Sequence, residues 1–412
     1  MIRAAIFDLD DTLLDTRALF DAREAREWSV VLGGLDSVEA FEVADGEPAV
    51  TSLPKEAQDR GLAVGLFTHS PQNYAEGILR RHGITVDQMV TGTDRLPLKP
   101  DPTGLLTVAR ALGIDPSACL YVGDSVGDFG AAAAAGMASV GVSWEARTPE
   151  SWRHGWPDVA VDRPSRFLSL LDGATGLGPL AEVVVDDQDP ISHWGSILRL
   201  GSNTFGLGRY FPMGDHRYPG QALSHLIIDS KDDPDQRERL AEAFASMGKM
   251  RLKNPPQLIA SVPPSPDGED RFAASRVNLA ELYEAEDGEG VLEQIYGVDD
   301  YKFTHRDERP AKVIDRFQAT KTLDGERMIL IDDVINTGSQ ANACRTALLD
   351  AGAGSVMILA ASVNQDALPK PCPSCGEGYG GTVRTKRRRR DGKEFLGCSR
   401  FRQGCRWSED LP

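Results

Sequence analysis

The sequence predicts an α/β protein of two sheet-and-helix parts, closed by a small cysteine-rich module. Three observations carry this. Short apolar runs of strand length alternate with helix-period segments through the first 145 residues, and a similar alternation resumes further along. Four of the six cysteines fall near the end, at 372, 375, 398 and 405. A length of 412 residues exceeds one ordinary core.

In the first part, Ala4–Phe7, Leu62–Phe67, Cys119–Val122 and Ala138–Val142 are short and apolar on both faces, as buried parallel strands are. Asn73–His82 and Pro102–Leu112 have helical character, and Pro54–Arg60 reads as a further core helix. Gly113 and Gly136 stand where helices stop. Residues 147–180 are richer in Pro, Gly, Ser and Asp, which sets a boundary near 175 and a first domain of 1–175. In the second domain, 176–368, Leu258–Val262, Met328–Ile331 and Ser355–Ala361 read as strands, and Arg237–Met247 and Ala341–Ala351 as helices. Pro369–Pro371 leads into a third segment, 369–412. No internal repeat is visible, and the one low-complexity patch is the basic run at 386–390.

The net charge of −17 is unevenly spread. From Pro371 onward ten Lys/Arg face five acids, a local charge of +5 that leaves −22 on residues 1–370. An acidic body repels nucleic acid, so only the tail or a local patch can hold it. No apolar run approaches the length that spans a bilayer, and the first residues lack the regions of a signal peptide. The expectation is a cytoplasmic protein with no membrane contact. Cys119 and Cys344 stand alone in apolar or helical stretches and read as core thiols.

Four pieces in the first domain point to one crevice. The strand Ala4–Phe7 runs into Asp8-Leu9-Asp10-Asp11-Thr12, and Leu62–Phe67 ends in Thr68. Lys99 sits in Leu98-Lys99-Pro100-Asp101-Pro102, and Cys119–Val122 runs into Gly123-Asp124-Ser125-Val126-Gly127-Asp128. Ligands of open parallel sheets bind beyond the carboxyl ends of the strands. Asp8, Asp10, Asp124 and Asp128 converging there need a hard cation among them, and Mg²⁺ with a phosphate fits.

These pieces resemble, in order and over roughly residues 1–145, the motifs of the haloacid dehalogenase (HAD) superfamily. The resemblance implies a Rossmann-like domain and a phosphohydrolase. Asp8 is then the nucleophile and Asp10 the acid and base. Thr68 and Lys99 hold the phosphoryl oxygens, and Asp8, Asp10, Asp124 and Asp128 form the Mg²⁺ site. Asp11 replaces the common Gly of the motif, and His69 stands where Asn is usual. Only about thirty residues, 17–46, remain for a cap, so the cap is minimal.

In the second domain, Met328–Ile331 runs through Asp332-Asp333-Val334-Ile335 into Asn336-Thr337-Gly338-Ser339-Gln340 and a helix. Backbone N–H groups at such a helix start cradle phosphate, and paired acids at a strand end hold sugar hydroxyls. The stretch resembles the phosphoribosyl pyrophosphate (PRPP) signature of type I phosphoribosyltransferases. Ile227–Lys231, Ala260–Ser265 and Arg309 with Phe317 extend the likeness to the ComF-like branch over about 215–365. By that resemblance Asp332 and Asp333 hold the ribose and Asn336, Thr337, Gly338, Ser339 and Gln340 wrap the 5′-phosphate, with PRPP as substrate. Asn336, Gln340 and Arg276-Val277-Asn278 depart from the pattern. The alternative is a degenerate domain that senses nucleotides or only holds a shape.

Cys372, Cys375, Cys398 and Cys405 supply four thiolates, a closed set for a structural Zn²⁺. A module this small needs the metal to fold. Gly397–Trp407 resembles the C-terminal zinc ribbons of type IA topoisomerases, which implies single-stranded nucleic acid as partner; Phe395, Phe401 and Trp407 offer stacking faces. The alternative is a zinc knob docked on the acidic body. The whole reads as an Mg²⁺-dependent phosphatase joined to a phosphoribosyltransferase-like domain, acting on a phosphorylated small molecule, nucleotide or nucleic-acid end. The competing class is a nucleic-acid-binding regulator whose second domain only senses PRPP or a nucleotide.

Overall fold

A strand that is apolar on both faces needs cover on both sides, and the first part of the chain supplies it with helices. In the computed structural model six strands lie in the order β3-β2-β1-β4-β5-β6, all parallel. They are β1 (Ala4–Phe7), β2 (Ala63–Phe67), β3 (Gln88–Val90), β4 (Cys119–Gly123), β5 (Ala138–Val142) and β6 (Val159–Val161). The connecting helices are α1 (Phe20–Glu24), α2 (Trp28–Gly33), α3 (Leu53–Asp59), α4 (Gln72–Arg81), α5 (Thr103–Leu112), α6 (Val126–Ala135) and α7 (Pro164–Leu171). Alternate residues of β1 enter different cores. Ala5 and Phe7 pack with residues of α3, α4 and α7, whereas Ala4 and Ile6 pack with residues of α5 and α6. Gly113 and Gly136 end α5 and α6 in left-handed backbone, where a residue without Cβ is at ease.

Described are all residues except 145–149, 154, 192, 251, 265–267, 296–315, 366–371, 376–381, 389–391, 402–403 and 411–412. Ser265, Arg309, the Pro369–Pro371 linker and Arg389–Arg390 therefore lie outside the described residues. The chain divides into two compact units. One is 1–177 with 367–384 and 396–410; the other is 178–366 with 385–395 and 411–412.

The stretch rich in Pro, Gly, Ser and Asp, within which the boundary near 175 falls, adds a strand and a helix to the first domain. Its β6 pairs with β5, and Phe167 of α7 meets Phe7 edge to face at 5.7 Å. Pro164 starts the helix rather than breaking the chain, since the first helical turn needs no N–H from it.

The second unit holds a sheet ordered β11-β10-β14-β15-β8-β7, with β9 also on β15. Its strands are β7 (Leu198–Gly201), β8 (Thr204–Gly206), β9 (Arg209–Tyr210), β10 (Leu258–Ser261), β11 (Glu286–Asp287), β14 (Arg327–Ile335) and β15 (Ser355–Asn364). Among the described residues of this sheet only β7 runs antiparallel to its neighbour. A separate ladder joins β12 (Leu292–Gln294) to β13 (Phe317–Ala319). The helices are α8 (Leu180–Val185), α9 (Ala222–Asp229), α10 (Pro234–Ala245), α11 (Ala273–Tyr283) and α12 (Ser339–Asp350). In the tail, β16 (Val383–Arg387), β17 (Glu394–Cys398) and β18 (Ser408–Asp410) form a three-stranded sheet. No helix among the described residues is long and apolar enough to cross a membrane.

Candidate active site

The chain runs outward from β1 through β2 to β3 and then crosses to β4 on the other side of β1, and the segments beyond these strand ends line a cleft of about 840 Å³. Asp8 follows β1 directly, its N–H donating to Val122 O at 2.8 Å. Lys99 Nζ reaches Asp8 Oδ1 at 2.6 Å and Asp128 Oδ1 at 2.7 Å, all three side chains being buried. Ser125 caps α6 and binds Asp128 Oδ2 through both its N–H and its hydroxyl, while Tyr121 donates to the other oxygen at 2.9 Å. Asp124 accepts from Thr12 at 3.1 Å, and Trp152 Nε1 donates to its carbonyl at 2.8 Å.

Asp10 is held differently. Ser70 donates to its Oδ2 at 2.6 Å and Thr68 at 3.4 Å, Tyr74 donates to Oδ1 at 2.8 Å, and Arg23 pairs with it at 2.8 Å. Asp11 sits in left-handed backbone and accepts from Thr16 and Arg23. His69 accepts the Lys99 amide at Nε2, 3.0 Å away. The structure thus brings Asp8, Asp10, Thr68, Lys99, Asp124 and Asp128 together. It groups only Asp8, Asp124 and Asp128 as mutual carboxylates, and the Asp10 carboxylate is engaged elsewhere. Sequence reasoning missed Arg23, Ser70, Tyr74 and Trp152. Ser70, two residues past Thr68, had a positional signal; the others occupy ordinary apolar or helical contexts.

The electrostatics follow from one ammonium among several acids. Burial pushes Asp8 well above the usual carboxylate range, opposed by Lys99 and helped by Asp128, Asp124 and Asp10. Burial, then Asp128, pushes Asp124 up to about 7. Asp128 is also penalised by burial, yet Lys99, Ser125 and Tyr121 hold it below the usual range. Lys99 is raised, since Asp128 and Asp8 outweigh its burial. His69 is lowered to about 4, by burial first and Lys99 second.

Residues 29–136 match the family described as haloacid dehalogenase-like hydrolase. The N-acetylmuramic acid 6-phosphate phosphatase of Pseudomonas aeruginosa is 30% identical over 217 residues, covering 42% of this chain and 96% of that protein. The chain belongs to the haloacid dehalogenase-like hydrolases. A phosphoglycolate phosphatase of Pseudomonas fluorescens is 28% identical over 236 residues, 45% of this chain and 84% of the relative. The Escherichia coli phosphoglycolate phosphatase is 36% identical over 126 residues, 30% of this chain and half of that enzyme. With these relatives the chain is a HAD-type phosphoric-monoester hydrolase.

Haloacid dehalogenase-like hydrolases use Mg²⁺, and the donor set suits one. Carboxylate oxygens of Asp8, Asp124 and Asp128 lie within 4.8 Å of one another, and burial first, then the neighbouring acids, raises Asp8 and Asp124.

In the second unit a cavity of about 370 Å³ is lined by Val262–Pro264, Glu269–Phe272 and the run from Asp332 to Ala341. All seven residues singled out there, Asp332, Asp333 and Asn336 to Gln340, face it. Gly338 takes left-handed backbone (φ 77°) to start α12. Burial, then Asp333, pushes Asp332 well above the usual range, and Arg271 is ion-paired to Asp333. Arg276 is buried and spent on Asp270, Asp287 and Ser261. In the tail, Cys372 and Cys405 Sγ are 3.8 Å apart and Cys375 and Cys398 3.5 Å, all free thiols. A tetrahedral site with Zn–S bonds of about 2.3 Å spaces its sulfurs about 3.8 Å apart, so the set fits zinc. Cys119 and Cys344 are free and buried.

Proposed function

We propose that the first domain hydrolyses a small phosphomonoester by an aspartyl-phosphate route. One observation carries this: a buried carboxylate, Asp8, paired to Lys99 beside a second acid, Asp10, that three hydroxyls and Arg23 hold in place. Asp8 attacks phosphorus, and the bond to the leaving oxygen breaks as Asp10 delivers a proton to it. Water then attacks the phosphoryl group, giving its proton to Asp10 and releasing phosphate and Asp8. Thr68 and Lys99 hold the phosphoryl oxygens. Asp8, Asp124 and Asp128 would hold Mg²⁺, which would supply charge neutralisation for the phosphoryl group. The relatives' names, N-acetylmuramic acid 6-phosphate and phosphoglycolate, are phosphate esters of acids and set the first compounds to try. Asp8→Asn keeps the shape and removes the nucleophile, so phosphate release should fall by about a thousandfold or more. Activity near wild type would refute the route.

The second domain is proposed to bind PRPP or a nucleoside 5′-phosphate in the cavity of Asp332, Asp333 and Asn336–Gln340. The Arg271 pairing with Asp333 favours a sensing role, since that acid is already occupied. The tail is proposed to bind one structural Zn²⁺ and, through its positive charge, single-stranded nucleic acid.

A further inference from the structure

Four cations line the phosphatase cleft, and two of them are uncommitted. Arg23 is paired with Asp10 and Asp11, and Lys99 with Asp8 and Asp128. The guanidinium groups of Arg26 and Arg95 have no hydrogen-bond or ion-pair partner among the described residues, and both side chains are exposed. They come from separate segments. Arg26 follows α1 and Arg95 ends the turn Gly92–Asp94, each in left-handed backbone at φ 56° and 55°.

Glycine is the residue at ease in such positions, because a Cβ crowds the neighbouring carbonyl. Five described residues other than glycine take positive φ, and three of them, Asp11, Arg26 and Arg95, line this one cleft. Strained backbone gathered at a site is a mark of function rather than of packing. Both arginines are exposed, so burial in a core does not hold them in this conformation. Phe20 and Leu98, exposed apolar side chains, line the same cleft.

We propose that Arg26 and Arg95 determine specificity by holding a second negatively charged group, carboxylate or phosphate, on the leaving-group side of the ester. A guanidinium fork matches either anion in bidentate fashion. On a chain of net charge −17, a doubly anionic substrate needs such local positive charge to enter. The carbon skeleton of the leaving group rests on Phe20 and Leu98. Glu24 also lines the cleft, without a side-chain partner among the described residues, and opposes the second anion.

The proposal rests on the phosphatase reading and deepens it. The test is kcat and KM of the full chain with Mg²⁺ on two matched pairs. Glycerol 3-phosphate against 3-phosphoglycerate reads a carboxylate; fructose 6-phosphate against fructose 1,6-bisphosphate reads a phosphate. The wild type should prefer the doubly charged member of at least one pair by about tenfold, mainly through KM. The double variant R26G/R95G should bring that preference to within about twofold while its Tm holds or rises, since glycine relieves the left-handed backbone. R26K/R95K should restore part of the preference, and E24Q should increase it. No preference in either pair, or a preference that survives R26G/R95G, overturns the assignment. Hydrolysis of none of the four esters, nor of N-acetylmuramic acid 6-phosphate or phosphoglycolate, would instead overturn the phosphatase reading and this proposal with it.

Discussion

At the scale of single residues, His69 shows how a departure from a family pattern can be absorbed. Its Nε2 accepts the Lys99 amide, so it must be neutral, and burial with Lys99 nearby lowers it to about 4. The bond fixes the loop that carries the ammonium between Asp8 and Asp128. His69→Ala removes the acceptor and should cost about 1 kcal/mol of stability in urea unfolding. The pH dependence has a defined sign. With the folded value below the ordinary 6.5, the unfolded chain takes up the proton first as pH falls. Stability from this group is intact above about 6.5 and is lost progressively toward about 4. His69→Gln keeps an acceptor and does not titrate, so its stability should fall less than wild type between those values. Parallel curves for the two proteins would remove His69 as the cause.

At the scale of elements, the strand β4 and helix α6 form a close joint at the site. Gly123 ends β4, and a Cβ there would lie 2.5 Å from Asp128 Cγ. Asp128 has no room to swing away, because Lys99, Ser125 and Tyr121 hold both its oxygens. Gly123→Ala should therefore destabilise by about 1–3 kcal/mol and lower phosphate release; an unchanged urea midpoint would contradict it. This joint is legible in the sequence, since an apolar run ending in Gly-Asp-Ser announces a strand giving way to a capped helix. So are β1, β2, β5, β10 and β15, whose runs are apolar and buried almost throughout. Illegible are β6, three residues behind a Pro-rich stretch, and β7 to β9, whose two to four residues carry no period. The convergence of Arg23 and Tyr74 on Asp10 is hidden for another reason. A helix-period pattern tells that Tyr74 is buried, but only tertiary packing tells what its hydroxyl meets. In the second cavity the same limit applies: the loop from Asn336 to Gln340 is readable, the Arg271 clasp on Asp333 is not. Calorimetry with PRPP and Mg²⁺ should show binding that the double change Asp332→Ala, Asp333→Ala abolishes. Heat from neither PRPP nor a nucleoside monophosphate at millimolar concentration would leave a domain that only holds a shape.

At the scale of the whole chain, charge and metal separate the tail from the rest. Residues 1–370 carry −22 and the remainder +5, so any hold on a polyanion must begin with the tail or with a local exception such as the phosphatase cleft. Four thiols spaced as a zinc tetrahedron requires bring together residues 372 and 405, and such a site supplies folding energy that so few apolar side chains do not. Native mass spectrometry should find one zinc per chain, lost in Cys372→Ser with Cys375→Ser. Binding to a single-stranded oligonucleotide should weaken as salt rises, because each phosphate contact releases counterions, with a slope of about −0.7 per contact on a log–log plot. Trp407→Ala should weaken it by about 1–3 kcal/mol if a base stacks on the indole. Ending the chain at Leu368 removes the zinc site and the positive charge at once, and should abolish most oligonucleotide binding while phosphate release from small esters continues. A truncated protein that binds single strands as tightly as the whole chain would make the zinc module a structural knob and move the search for a nucleic-acid surface to the acidic domains, where charge argues against one.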